Sequence, residues 1–284
     1  YSNQNLLYDA LYHAASATLN ELAKDAKYLG ANIGYICILH TWGSAMNYHP
    51  HIHTIVLGGG LDDENKWKET GGKFFLPYGV ISKVFRGKYL DELKSLWNDS
   101  KLKFHGTAEK YQNSYRFKEL LDKCYEKNWV TYCKETFNGA QSVINYLGKY
   151  THRIAISNHR IKSMTDTTVT YVVKDYKNEG CWKEKTISGE EFIRRFMMHV
   201  PPKRFVRIRH YGLLSCRNKR KKITHCRNLL GCKKYISTLK NLNAVEMIRV
   251  LYHIDVCKCS SCGGNMVSPR KDKYSSSFRA HMRC

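Results

Sequence analysis

Apolar side chains return every three or four positions along the first segment of the chain. From residue 5 to residue 29, leucines and alanines at this spacing predict an amphipathic helix, which Gly30 ends. The same period predicts helices over residues 81–97, near Glu119 and over residues 140–150. Helices therefore account for much of the first half of the chain.

Short runs rich in β-branched residues predict strands between these helices. Residues 34–40 and 51–57 are two such runs, and we expect them to pair as antiparallel neighbours. A capping box of Ser188 and Glu191 opens a short helix that reaches His199. Further strands are predicted over residues 129–133, 153–157, 167–174 and 204–210. This order of elements favours the α+β fold class, with helices packed on an antiparallel sheet.

The character of the sequence changes after residue 214. A basic run over residues 217–222, several cysteines and a Ser-rich basic tail over residues 268–284 follow this point. We therefore predict one α+β domain over residues 1–214 and a basic, cysteine-containing C-terminal region over residues 215–284.

Composition and charge narrow the function. The chain has 284 residues, of which 43% are hydrophobic, and 47 Lys and Arg against 24 Asp and Glu give a net charge of +23. A positive excess spread along the whole chain implies a polyanionic partner, most commonly nucleic acid. No apolar run approaches the roughly 18 residues that a membrane span needs, so we expect no membrane contact. The 11 irregularly spaced cysteines and the lack of a signal peptide favour a reducing, cytoplasmic location.

Histidines are concentrated at the start of the second predicted strand. Because side chains alternate along a strand, His51 and His53 project to one face while Ile52 projects to the other. His49 has the same parity, and Pro50 is compatible with a strand start, so His49 is either a third metal ligand or part of the preceding loop. Imidazoles alone favour Zn²⁺, whereas added phosphate oxygens would suit Mg²⁺ or Mn²⁺. A surface strand rich in histidine is the alternative.

Two tyrosines lie four positions apart on the helix predicted over residues 140–150. The hydroxyls of Tyr146 and Tyr150 share one helix face, where either could attack a phosphorus atom. Neighbouring cations would bind phosphate and favour the phenolate, and these are Lys149, His152 and Arg153. The spacing alone is weak, because two further pairs have it, Tyr8 with Tyr12 and Tyr111 with Tyr115.

Cationic and aromatic side chains alternate along the last predicted strand. Arg207, Arg209 and Tyr211 share a face, which is typical of surfaces that track phosphates and stack unpaired bases. An ordinary solvated strand face is the alternative.

A cysteine cluster lies in the C-terminal region. Cys257, Cys259 and Cys262 have the spacing of half a zinc ribbon. Either a further ligand completes a structural Zn²⁺ site, or the segment is metal-free.

Several blocks of sequence together resemble one known family. The run from His51 to His53 resembles the His-hydrophobic-His motif of the HUH endonuclease superfamily, and Tyr146 with Tyr150 resembles the paired tyrosines of its rolling-circle transposases. Over residues 41–53, 146–161 and 206–212 the chain is similar to the two-tyrosine transposases of the insertion-sequence ninety-one family. The likeness extends over residues 6–264, with its blocks in the family's order.

The resemblance implies an HUH-like nuclease fold and a transposase that cleaves and rejoins single-stranded DNA at transposon ends. One of Tyr146 and Tyr150 would attack a phosphate, leaving a 5′-phosphotyrosine and a free 3′-OH, and the other would act in a later strand transfer. A divalent metal, Mg²⁺ or Mn²⁺, would assist at the histidines. Such a protein would work on the bacterial nucleoid by a rolling-circle route.

The start of the sequence departs from the family pattern. Family members usually carry an N-terminal Cys/His zinc module and an early strand, and the first predicted helix here has neither before it, so we expect a missing upstream segment. A non-catalytic nucleic-acid-binding protein, or an inactive transposase remnant, is the alternative reading of function. A zinc-dependent hydrolase that uses bound water is a third.

Overall fold

A computed structural model of the chain describes residues 2–71, 76–134, 139–151, 154–175, 178–217, 219–232, 239 and 241–266. In chain order, its helices and strands are α1 (Gln4–Lys24), β1 (Asn32–Trp42), β2 (Tyr48–Leu61), β3 (Trp67–Glu69), α2 (Tyr78–Asn98), α3 (Ser114–Glu126), α4 (Ala140–Thr151), β4 (Ile161–Met164), β5 (Thr168–Asp175), β6 (Cys181–Ser188), α5 (Gly189–Met197), β7 (Ile208–Gly212), α6 (Lys219–Leu229) and α7 (Ala244–Tyr252). Short 3₁₀ helices cover Gly106–Gln112 and Asn158–Arg160. The predicted α+β class is confirmed.

The central sheet is antiparallel, with strand order β3-β2-β1-β7. Helix α1 covers one face of this sheet, where its Tyr8 and Tyr12 join Tyr35 and Leu39 of β1 in the main hydrophobic core. The hydroxyl of Tyr12 donates to the carbonyl of Arg207 and accepts from the backbone N–H of Leu39. These bonds fix α1 against two strands at once and leave the opposite face of the sheet for the histidines.

A second antiparallel sheet, with strand order β4-β5-β6, lies beside the turn between β1 and β2. Alternate side chains of β5 are buried, including Tyr171 and Val173, and α5 contributes Phe192 to this core. Met46, at the turn, is fully buried in the same cluster. The second sheet therefore supports the connection between the two strands on which the histidines lie.

Helix α5 begins as its sequence predicts, since the Ser188 side chain accepts from the backbone N–H of Glu191. The strand predicted over residues 129–133 was wrong, because that segment is irregular. Its polar groups bond to α2 instead of to a neighbouring strand: Ser82 donates to the Trp129 carbonyl, and Thr131 donates to the Tyr78 carbonyl. Residues 154–157, also predicted as strand, form a bend in which Ile156 packs into the second core.

The chain divides into two compact units, residues 1–231 and 232–284. This division comes later than the predicted boundary at residue 214, because α6 belongs to the first unit. Cys226 of α6 is buried in a cluster with Leu61 and Leu213. In the second unit, Asn243 and Glu246 form a capping box at the start of α7. Within the described residues, no helix combines the length and apolar character that crossing a membrane requires.

Gly212, at the end of β7, has a backbone conformation and a contact that require glycine. Its φ is +58°, and a Cβ there would overlap the carbonyl oxygen of Ile33. We expect Gly212→Ala to lower the free energy of unfolding by about 1–3 kcal/mol or more through strain alone. Gly87→Ala in α2 is the matched control, because a Cβ at this position would meet nothing within 4 Å. This substitution should raise the free energy of unfolding by roughly 0.4–1 kcal/mol. Urea unfolding of both variants tests this, and equal midpoints would contradict it.

Candidate metal and tyrosine site

Three imidazoles meet on the face of the central sheet opposite α1. The register of the β1–β2 pair places His40 directly opposite His51, and His53 opposite Ile38. One ring nitrogen from each of His40, His51 and His53 lies within 4.8 Å of the others. His40 is almost fully buried, with 2% exposure, whereas the other two are half-buried. The described residues form one group of three or more side chains that could bind a metal ion, and it is this one.

His51 has its tautomer assigned by a hydrogen bond to the backbone. Its Nδ1–H donates to the carbonyl of His49 over 2.7 Å, so its Nε2 carries the lone pair. Burial lowers the pKa of His51, which keeps this imidazole neutral at pH 7. The Nε2 atoms of His51 and His53 are 3.1 Å apart. Neutral, oriented imidazoles with converging ring nitrogens are the donor set that a divalent transition metal prefers, so these residues fit such an ion.

The third imidazole of the cluster belongs to His40, whereas the sequence offered His49 as either a third ligand or part of the preceding loop. The His49 side chain is exposed, and its carbonyl orients His51. A sequence signal for His40 exists in retrospect: it is the last residue of the first predicted strand, and hairpin pairing brings it level with His51. The length of the connecting turn sets that register, and a period-two pattern does not specify it.

The turn between β1 and β2 is held by cationic side chains from the second sheet region. Buried Arg160 donates to the carbonyls of Ser44 and Val172, and Arg195 donates to the carbonyl of Ala45. Three successive turn carbonyls are bonded in this way, since His199 Nε2 donates to that of Met46 over 3.1 Å. These residues, which fix the two histidine strands at their shared end, have no local signal in the sequence.

Helix α4 brings Tyr146 to the histidines. The Oη atom of Tyr146 lies 3.4 Å from Nδ1 of His53, and the Tyr146 side chain is half-buried. The backbone of Lys149 and Tyr150 belongs to the same helix, but their side chains lie outside the described residues, as do His152 and Arg153. The structure thus brings one of the two predicted tyrosines to the predicted histidines.

Arg207 joins the end of α4 to the central sheet. Its Nη2 donates to the carbonyl of Thr151, the last residue of α4, over 3.1 Å. Its guanidinium also lies over the ring of Trp42, 5.6 Å from the ring centroid. Trp42 in turn stacks on His40 with ring centroids 4.7 Å apart. Arg207 therefore contacts both the tyrosine helix and the surroundings of the histidines.

Arg209 and Tyr211, predicted on the same DNA-binding face, lie on the α1 side of the sheet. Arg209 pairs with Asp9 at 2.5 Å, and its guanidinium lies 4.1 Å from the ring centroid of Tyr12. Tyr211 stacks on Tyr35 with ring centroids 5.2 Å apart. Both side chains hold α1 on the sheet, a packing role that strand alternation does not distinguish from a nucleic-acid surface.

The competing tyrosine pairs have other surroundings. Tyr12 is fully buried, its hydroxyl is bonded to the sheet backbone, and burial raises its pKa, so it keeps its proton. Tyr8 bonds to the hydroxyl of Tyr48 at 2.6 Å. Tyr111 packs in the cluster around α2 and α3, and Tyr115 is 72% exposed.

The predicted zinc knuckle forms a tight turn in the second unit. The backbone N–H of Cys259 donates to the Gly264 carbonyl, and that of Met266 donates to the Cys257 carbonyl. The thiols of Cys257, Cys259 and Cys262 are not among the metal-binding groups that the described residues form. Structural Zn²⁺ at this turn stays a prediction.

Comparison with known proteins identifies the family. The family model described as "Putative transposase" matches residues 34–222, more than half of the chain. The chain therefore belongs to this transposase family, and the resemblance found in the sequence is confirmed.

Two curated relatives carry related names. "Putative transposase y4qJ" of Sinorhizobium fredii (strain NBRC 101917 / NGR234) is 40% identical over 232 residues, which are 81% of this chain and 58% of the relative. "Transposase for insertion sequence element IS801" of Pseudomonas savastanoi pv. phaseolicola is 28% identical over 264 residues, 92% of this chain and 62% of the relative. The chain thus spans about three fifths of the length of these relatives. No solved structure gives a significant match.

Proposed function

We propose that the chain cleaves and rejoins single-stranded DNA at transposon ends by transesterification, with Tyr146 as a nucleophile. The observation that carries this proposal is the 3.4 Å separation of Tyr146 Oη from His53 Nδ1, at the edge of the three-histidine cluster. A phenol beside a group that can hold a cation is the arrangement that tyrosine attack on a phosphodiester needs. Membership of the transposase family supports DNA as the substrate.

The position of the proton on the His53 ring links the Tyr146 hydroxyl to the histidine cluster. If Nε2 of a neutral His53 is directed at the cluster as a lone pair, its hydrogen is on Nδ1, and Nδ1–H donates to the Tyr146 oxygen. A hydrogen bond of this kind stabilises the phenolate over the phenol. His51 has the same division of roles, with its Nδ1–H given to the His49 carbonyl. Both imidazoles would thus keep Nε2 available for a cation.

The covalent step conserves the energy of the phosphodiester. The Tyr146 hydroxyl loses its proton and its oxygen forms a bond to phosphorus, while the bond from phosphorus to the 3′ oxygen breaks. The 3′ oxygen takes up one proton to become a 3′-OH, so the step consumes no net proton. The 5′ end stays attached to the tyrosine, so a later attack by a 3′-OH rejoins DNA without ATP. Tyr150, on the same helix, is proposed as the second nucleophile of a rolling-circle route.

His40, His51 and His53 would hold the divalent ion, which when bound would supply positive charge to the phosphate oxygens. The imidazoles suit Mn²⁺, and oxygen donors from the DNA phosphate would also allow Mg²⁺. Trp42 and Arg207 surround this group and limit the movement of His40 and α4. Pre-organisation of this kind keeps the nucleophile and the phosphate in a productive arrangement.

Incubation of the protein with end-labelled single-stranded DNA tests the proposal. With Mn²⁺ we expect a covalent protein–DNA adduct on a denaturing gel, and with EDTA we expect none. Cleaved DNA without an adduct would indicate hydrolysis by water and reject tyrosine attack. DNA binding without cleavage would support a non-catalytic protein instead.

A further inference from the structure

A cleft of about 740 Å³ lies at the other end of the central sheet from the histidines. Its floor includes apolar side chains of the sheet and of the segment after β7, namely Ile33, Leu61 and Leu213. Helix α6 closes one side, because Cys226 packs on Leu61 and Leu213. The contact of His225 Nε2 with the Asn65 carbonyl, at 3.0 Å, ties the same helix to the turn after β2.

The rim of the cleft is cationic. Lys24 of α1 and Lys221 and Lys222 of α6 line it, and none of the three forms an ion pair with a described residue. Asp62 is the carboxylate among the described lining residues, and it accepts the backbone N–H groups of its own turn. Amides also line the rim, from Asn20, Asn32 and Asn65. Three lysines against one carboxylate leave the described lining of the cleft with an excess of positive charge.

This cleft is separate from the histidine cluster. Ile33 and His40 lie near opposite ends of one strand, β1, and at about 3.3 Å per residue their separation is roughly 23 Å. Successive phosphates of a stacked DNA strand advance by about 3.4 Å along the helix axis, so about seven stacked nucleotides span this separation. A single DNA strand can therefore reach both places.

We propose that this cleft binds the phosphodiester backbone of the DNA that flanks the cleaved phosphate. The choice of DNA rests on the proposed function. Unpaired lysines at a rim gain by replacing the counterions of phosphates, and an apolar floor accepts the sugar and base faces between them. The cleft contributes to DNA affinity and positions the flanking DNA along the sheet. The reaction takes place at the histidine end.

Two double variants of the full chain separate this site from general charge. Lys221→Ala with Lys222→Ala removes two rim cations, and Lys94→Ala with Lys118→Ala removes two exposed cations of α2 and α3 that form no ion pair with described residues. Affinity for a labelled oligonucleotide is measured by anisotropy at several salt concentrations. The slope of log K against log salt is negative, and we expect the rim variant to make it shallower by about 1.4–1.8. Each of the two lost phosphate contacts accounts for about 0.7–0.9 of this change. The control should keep the slope of the parent.

Oligonucleotide length adds a second readout. With about 12 nucleotides on each side of the cleaved phosphate the rim variant should bind more weakly than the control, and with about two on each side the two should bind alike. A difference that persists on the short oligonucleotide, or equal slopes on the long one, would overturn the proposal. Lys24→Ala, on a different helix, should reproduce the effect at half its size, which excludes misfolding of α6 as the cause.

Adduct yield, measured on the same samples, separates this proposal from the proposed function. A parent protein that binds with the expected slopes but forms no adduct would reject the transesterification and keep the cleft. An adduct formed with the parent, together with equal slopes for the two double variants, would keep the chemistry and reject the cleft.

Discussion

Replacement of both Tyr146 and Tyr150 by Phe is expected to abolish the covalent protein–DNA adduct, with a fall in cleavage on the order of 10³-fold or more. At position 146, Phe keeps the aromatic ring and removes the oxygen that lies 3.4 Å from Nδ1 of His53. No tyrosine then remains on α4. Single-turnover cleavage of labelled single-stranded DNA with Mn²⁺ measures the change.

The matched control is the double replacement of Tyr111 and Tyr115 by Phe. This pair has the same spacing, but it packs beside α2 and α3 or faces solvent, away from the histidines. The control should cleave like the parent. An adduct that survives the change at 146 and 150, or one lost in the control, would contradict the assignment.

Replacement of His40 or His51 by Ala is expected to lower cleavage on the order of 10²-fold or more, because each removes one of three converging nitrogens. DNA affinity should change little, since burial lowers the pKa of His51 and the imidazole contributes no charge at pH 7. Cleavage rates across a Mn²⁺ titration, together with DNA binding, measure the two effects separately.

His49→Ala separates the two candidates for the third ligand. Its exposed side chain is lost, but the backbone carbonyl that orients His51 remains. We expect cleavage close to that of the parent. A loss at His49 with full activity in His40→Ala would restore the ligand set expected from sequence and reject the one seen in the structure.

Local patterns in the sequence were sufficient to predict the elements that carry the candidate site. Alternation placed His51 and His53 on one face, helical spacing placed Tyr146 on α4, and a capping box located the start of α5. Each of these features depends on contacts within a few residues, or on the regular spacing at which side chains share one face of a strand or helix. Strand β6 was not predicted, because its exposed, charged side chains do not alternate with apolar ones.

Features that depend on pairing between distant segments could not be predicted from local sequence patterns. His40 joins the cluster through the register of β1 and β2, and Arg160 reaches the turn from the 3₁₀ helix that precedes β4. Arg209 and Tyr211 have the alternation of a DNA-binding face, yet they pack α1, because the sequence does not say which face a helix covers. Tertiary contacts decide such questions.

The central claim is that a tyrosine of α4 attacks the phosphorus atom of the DNA, and mapping of the DNA-linked peptide tests it most directly. Trypsin cuts after Lys149 and so separates Tyr146 from Tyr150. After reaction with single-stranded DNA and Mn²⁺, nuclease and trypsin digestion followed by mass spectrometry should find the nucleotide on the peptide that ends at Lys149, on the one that begins at Tyr150, or on both. A nucleotide on any other tyrosine peptide, in protein that cleaves DNA, would contradict the claim.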